Sequence, residues 1–320
     1  MTRHLALLPV ALALVLAPPT LADGFMPAAD QNGEGVLAHD GKSRYVAVGS
    51  VGTPRTFLAR VSTTDGSVLT SVPLSGMWGT PQITYTPNSS EGLSSDGRTL
   101  VLADISNVYP RTDSRFVMLD ARTLRTRFAI DLRGDFEFDA ISPNGGRLYL
   151  IQHRNVLDQQ HYVVREYDVQ SRQLLPGRVA DRTQKGWVME GYPVSRTISP
   201  DGRWVYTLYG NPKGFPFVHA LDTVRGVAHC VGLPWRGSYS AVYNLRVTLH
   251  HGSLAVHWLS GRPWLRMDTA SWRLSTDHGS GFPWWTLWFL ALLPLLALVG
   301  RRYHRLRNGR RARALTPRTA

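Results

Sequence analysis

The sequence predicts an all-β repeat fold, five units of four short strands each, set between two terminal targeting segments. Three observations carry this. An Asp-Gly or Asn-Gly turn followed by an apolar strand recurs along the chain. No stretch between residues 23 and 276 sustains the 3.6-residue apolar period of a helix. The two long apolar runs lie instead at the ends of the chain.

The leader comes first. Arg3 supplies a positive start, Leu5 to Ala17 is apolar, and Thr20-Leu21-Ala22 is a small-residue cleavage site before Asp23. Residues 1–22 therefore read as a secretory signal peptide. A retained anchor is the alternative, and the apolar run is short for one.

Residues 23–276 carry the repeat. Its turn-plus-strand copies are Asp40-Gly41 with Arg44–Val48, Asp96-Gly97 with Thr99–Leu102, Asn144-Gly145 with Leu148–Ile151, and Asp201-Gly202 with Trp204–Thr207. His251-Gly252 with Leu254–Val256 is a degraded fifth. Second strands follow at Phe57–Val61, Phe116–Asp120, Tyr162–Asp168, Phe217–Asp222 and Trp264–Asp268. Asp-Gly and Asn-Gly supply the positive φ of a tight hairpin, and the flanking runs have strand length and composition. Four short strands per unit of about 50 residues is the pattern of a β-propeller blade. A lone sheet of this kind leaves both faces wet, whereas stacked sheets bury them. Seven blades of about 40 residues would need more chain than lies between the terminal segments, so five are expected.

The copy Ser199-Pro200-Asp201-Gly202-Arg203 with Val205-Tyr206, followed by Leu221-Asp222-Thr223, resembles the YVTN-type and related WD-repeat propeller families. The resemblance covers about 250 residues and implies a propeller fold, not an activity, because such folds host scaffolds, receptors and enzymes. The irregular repeat length and the decayed first and fifth turns depart from the family pattern. The fifth unit shows only Leu254–Trp258, Trp264–Asp268 and Trp272–Ser275, and Gly33 to Ala38 precedes the first turn without a unit of its own. The N-terminal strand is therefore expected to complete the last blade and close the ring.

The second apolar run is Phe282 to Val299, long enough to cross a bilayer as a helix. Trp284, Trp285 and Trp288 cluster at its start, and Arg301, Arg302, Arg305 and Arg307 follow at once. Residues 277–300 read as a single transmembrane helix, and 301–320 as a basic cytoplasmic tail. The expected localisation is the cell membrane, with the N-terminal domain outside.

The charge fits this topology. Of 36 basic and 23 acidic side chains, eight arginines lie in 301–320 and one in the leader. Removing these nine leaves 27 against 23, so the repeat domain is nearly balanced and no nucleic-acid partner is expected. The lone Cys230 excludes an intrachain disulfide framework, a cysteine zinc site and an iron–sulfur cluster. His250, His251 and His257 are read as a decayed turn and not as metal ligands, for want of partner carboxylates. No nucleotide, zinc-protease or serine-hydrolase motif occurs, and no cofactor or metal is implied.

Two groups of residues are candidates for function. Counting five back from each turn marker gives Gly35, Glu91, Asp139, Arg196 and Arg246, equivalent positions on the innermost strands. The charged four either pair to close a wet channel or form a ligand or catalytic ring. The long loops opposite the turns carry Trp78, His153, Trp187, Glu190, Tyr192, Trp235, Tyr239 and Trp258, a mixture suited to a protein, peptide or glycan. The expectation is a membrane-anchored binding or scaffold module. The alternatives are a propeller enzyme, a hydrolase or lyase using the channel charges, and a structural subunit of an envelope complex. The absence of any catalytic motif leans away from the enzyme.

Overall fold

The computed structural model describes residues 35–49, 54–84, 90–105, 111–155, 158–184, 189–212 and 214–276. The expected leader, transmembrane helix, basic tail and Trp187 lie outside the described residues. Among the described residues no helix is long and apolar enough to cross a membrane.

Five antiparallel sheets follow one another along the chain. The first holds β1 (Val36–Leu37), β2 (Ser43–Gly49), β3 (Arg55–Ser62) and β4 (Val68–Ser75). The second holds β5 (Trp78–Gly79), β6 (Thr99–Asp104), β7 (Asp113–Asp120) and β8 (Thr126–Arg133). The third holds β9 (Asp135–Ile141), β10 (Arg147–Asn155), β11 (Asp158–Asp168) and β12 (Gln173–Leu174), with β13 (Met189–Glu190) also paired to β11. The fourth holds β14 (Tyr192–Ile198), β15 (Trp204–Gly210), β16 (Phe217–Asp222) and β17 (Val227–Gly232). A short 3₁₀ turn, Ser240–Asn244, leads into the fifth, made of β18 (Leu245–His250), β19 (Ser253–Trp258), β20 (Pro263–Asp268) and β21 (Leu274–Thr276). Each sheet is an up-and-down meander in sequence order, the blade topology of a propeller-type fold. The chain divides into two compact units, to Val247 and from Thr248, with the boundary inside β18.

The expected closure by the N-terminal strand does not occur. β1 pairs with β2, Val36 opposite Tyr45, and so completes its own sheet. The fifth sheet has its own first strand, β18, in which Leu245 and Val247 are buried and Arg246 and Thr248 are only partly so. Trp272, expected to begin the last strand, sits instead in the preceding turn with φ of 59°.

The hairpin turns repeat because their hydrogen bonds are local. At Ser199–Arg203 the Gly202 N–H donates to the Ser199 carbonyl at 2.7 Å, and the Asp201 Oδ1 accepts from the Arg203 N–H at 3.1 Å. The Ser199 Oγ accepts from the Trp204 N–H at 2.8 Å. Ser94 with Asp96, and Ser142 with Asn144, repeat the arrangement, each followed by a glycine near φ +70°. The fifth turn differs: His251 and Gly252 both have positive φ, as a two-residue hairpin requires. The aspartate ending the third strand of the second to fifth sheets has a local purpose as well. Asp120, Asp168, Asp222 and Asp268 accept backbone N–H groups two or three residues on, which fixes the next turn.

Within the first unit, successive sheets pack face to face. Leu100 and Leu102 of β6 join Tyr45, Ala47 and Leu58 of the first sheet. Val101 and Ala103 of the same strand join Phe136, Phe138, Leu148 and Leu150 of the third. Alternate side chains of one strand thus serve two cores, which is why β6 is apolar throughout its centre. Tyr149, Val164 and Val179 pack with Val205, Leu221 and Ala228 between the third and fourth sheets. In the second unit Leu254, Val256, Leu265 and Met267 are buried.

Candidate functional site

One arginine gathers Asp139 of β9 and Glu91, which lies outside the named strands. Arg196 lies on β14 opposite Thr207 of β15, and its Nε donates to the Thr207 Oγ1 at 2.7 Å. Its Nη1 donates to the Glu91 Oε2 at 3.1 Å and to the Asp139 main-chain carbonyl. Its Nη2 is paired with the Asp139 carboxylate. Asp139 reaches it from a bulge in β9: Tyr149 pairs with Ala140 and Leu150 with Phe138, so Asp139 has no partner across the ladder. Glu91 arrives by a different route. The first strand of the second sheet pairs only at Trp78 and Gly79, and the chain rejoins β6 where the Val101 N–H donates to the Gly92 carbonyl at 2.8 Å.

Arg196 and Asp139 are almost wholly buried, and the Glu91 side chain is 20% exposed. Burial lifts the Glu91 carboxyl above the usual glutamate value, against the pull of Arg196. Burial also opposes the Arg196 charge, but Glu91 and Asp139 outweigh it and hold that pKa above the usual arginine value. Three of the four charged positions expected on the inner strands are thus brought together. Arg246 is not with them: its Nη1 donates to the carbonyls of Tyr243 and Leu245. Gly35, the uncharged fifth, has φ of +75°, and a Cβ there would fall 2.1 Å from the Tyr45 carbonyl oxygen.

A second buried polar group escaped the sequence reading. His219 of β16 faces Cys230 of β17, with Nδ1 3.4 Å from Sγ. Among the described residues its Nε2 and the Asp139 Oδ2 have no hydrogen-bond partner. Burial holds the imidazole down at about 4, and burial with the Asp181 charge pushes the thiol up to about 12. A nucleophilic cysteine needs the opposite pattern, a thiolate stabilised by an imidazolium. The pair lacks that pattern. Only the register of β16 and β17 brings it together, so spacing in the sequence carried no signal.

The loop-side candidates separate into plugs and surface groups. Trp78 is buried, its Nε1 donating to the Ser75 carbonyl at 2.7 Å and its main-chain N–H to the Thr56 Oγ1 at 2.8 Å. His153 lies 3.4 Å from Glu137, and Glu190 lies 2.8 Å from His161. Tyr192 opens β14 and is half-buried. Trp235 and Tyr239 sit half-exposed on the segment between β17 and the 3₁₀ turn, with the Trp235 Nε1 3.2 Å from the Ser238 carbonyl and the Tyr239 hydroxyl 2.6 Å from that of Tyr243. Trp258, in the second unit, has the Arg262 guanidinium 5.2 Å from its ring centre. Among the described residues no cluster of histidine, cysteine and carboxylate side chains could hold a metal ion.

At the opposite end of the strands, on the turn side, a cavity of about 360 Å³ opens among the first four sheets. Val36, Leu37, Leu93, Ile141 and Ile198 give it apolar walls, and Glu91 is among its lining groups. Among the described residues neither lysine nor arginine lines it.

No family model matches the chain, and no curated protein matches it. Solved structures do. Hydrazine synthase from Kuenenia stuttgartiensis is 15% identical over 73% of this chain and 70% of its own, with a TM-score of 0.46. TolB from Acinetobacter baumannii is 18% identical over 71% of this chain, with a TM-score of 0.38, and the match spans about half of its length, 51%. Sqt1 from Saccharomyces cerevisiae is 12% identical over 73% of this chain and 57% of its own, with a TM-score of 0.39. At these identities and scores the likeness does not extend to function.

Proposed function

We propose that the protein is a membrane-anchored extracytoplasmic binding or scaffold module. It recognises a protein, peptide or glycan through its loop side. The observation that carries this reading is the state of the inner charges. Arg196 is engaged by Glu91, Asp139 and Thr207 at once, an arrangement that ties three sheets together. A hydrolase or lyase needs two convergent groups free to exchange protons or attack, and the Cys230–His219 pair is tuned away from that. Trp235 and Tyr239, by contrast, are half-exposed aromatics on a long connecting segment, the kind of side chain that anchors partners. The leader, the apolar run at 282–299 and the arginines after it support anchoring with the repeat domain outside.

Glycan and peptide arrays probed with the full chain in detergent test the reading. Signal on either array, lost in a Trp235→Ala/Tyr239→Ala double variant whose melting temperature stays within a few degrees, is the expected result. Signal retained by a folded double variant moves the site elsewhere. Topology is testable separately with single cysteines engineered on the repeat domain, because the native thiol is buried. Labelling of such positions only after lysis would overturn the extracytoplasmic placement.

A further inference from the structure

We propose that the turn-side cavity is a second binding site, and that it takes a primary ammonium group carried on an apolar chain. It lies at the other end of the strands from the loop side and does not depend on the function proposed above. Its volume, about 360 Å³, falls in the range of small-molecule sites. Leu37 and Ile198 line it while 52% and 41% exposed, branched aliphatic groups left partly in water. They favour an apolar ligand body by the same burial that drives core packing.

Charge sets the polar end of the ligand. Glu91 and Asp139 bring two carboxylates to the single guanidinium of Arg196, and among the described residues no lysine or arginine lines the cavity. The group therefore carries one surplus negative charge when both acids are ionised. Asp139 is sealed away, whereas Glu91 is part of the cavity lining. Among the described residues its Oε2 accepts from Arg196 and no hydrogen bond engages its Oε1. An ammonium on Oε1 would balance the charge and gain a charge-assisted bond in a partly dry setting. A carboxylate ligand would meet like charge, and a neutral alcohol would gain only burial. Lysine's compact cation on a methylene stem and a free alkylamine share this chemistry.

Isothermal titration of the full chain in detergent, corrected with a protein-free micelle blank, separates these cases. The probes are n-butylammonium, n-butanol, butyrate and a short peptide containing one lysine and a blocked N-terminus. Saturable binding of n-butylammonium, at least tenfold tighter than n-butanol and with none for butyrate, is the expected result. Glu91→Gln should weaken the ammonium at least tenfold while leaving n-butanol unchanged. Should that variant not fold, Ile198→Lys, at an exposed position at the end of β14, supplies a tethered cation and should also abolish binding. A lysyl peptide that binds more tightly than n-butylammonium assigns the ligand to a partner protein, and the reverse order assigns it to a free amine. No ammonium binding, equal binding of n-butanol, or unchanged affinity in a folded Glu91→Gln variant overturns the proposal.

Discussion

The hairpin turns and the buried polar centre of the first unit are built on different principles. The turns are assembled from residues within five positions of one another, and the first four share one side-chain device. Asp40, Asp96, Asn144 and Asp201 all accept the N–H two residues on. The polar centre joins residues far apart in sequence: Glu91, Asp139 and Arg196 come from three sheets, and His219 meets Cys230 only across two paired strands. Local geometry tolerates repetition and single losses. A buried charge group does not, because each member is compensated only by the others.

The largest expected effect comes from breaking the centre. Arg196→Met leaves two carboxylates buried without a counter-charge, and removal of one partner of a buried pair costs about 3–5 kcal/mol. Urea unfolding should show a shifted midpoint with an unchanged slope. A loss below about 1 kcal/mol would mean that the group is solvated and that the comparison with the turns is wrong.

A second test uses pH. His219 is neutral in the folded protein down to about 4, while the unfolded chain takes up its proton near the ordinary value of about 6.5. Between those values the unfolded state binds more protons, so stability is full above about 6.5 and falls as the solution is acidified toward about 4. At about 1.4 kcal/mol per unit the full loss approaches about 3 kcal/mol. Glu91, whose carboxyl is raised, pulls the other way, so the decisive quantity is the difference between the wild-type curve and that of His219→Leu. That difference should grow as pH falls through this window. Parallel curves would refute the assignment.

The smallest effect sharpens the comparison from inside the turns. Gly41 and Gly202 have φ of +66° and +70°, but a Cβ on Gly41 meets nothing within 4 Å, whereas one on Gly202 would fall 2.4 Å from the Ser95 side chain. Gly41→Ala should cost about 1 kcal/mol for the left-handed backbone alone. Gly202→Ala should cost about 2 kcal/mol more, from overpacking against a turn of another sheet. Equal thermal shifts for the two would show that the turns do not touch as described.

Cys230 illustrates the same division. As an outer-strand residue without a disulfide partner it invites the expectation that Cys230→Ser is nearly silent. The side chain is in fact buried against His219, Tyr162, Tyr209 and Phe217, so the substitution places a hydroxyl in an apolar cluster.

Legibility in the sequence follows the range of the interaction. The five turns, the strands after them and the aspartates closing the third strands are visible because glycine at positive φ and aspartate beside free N–H groups act over two to five residues. Counting back from the turns also singles out Glu91, Asp139 and Arg196, which the fold brings together although Asp139 comes from a bulge and Glu91 from outside the named strands. Arg246 broke that equivalence where the 3₁₀ turn offers it the carbonyls of Tyr243 and Leu245. Trp78 reads as a loop aromatic, but the Thr56 hydroxyl draws its backbone inward. The N-terminal strand's partner, the bulge that aims Asp139, the His219–Cys230 register and the turn-side cavity were decided by tertiary structure alone. Each depends on which strand lies beside which, and a pattern of apolar and polar residues specifies which face of a strand is buried without naming its neighbour.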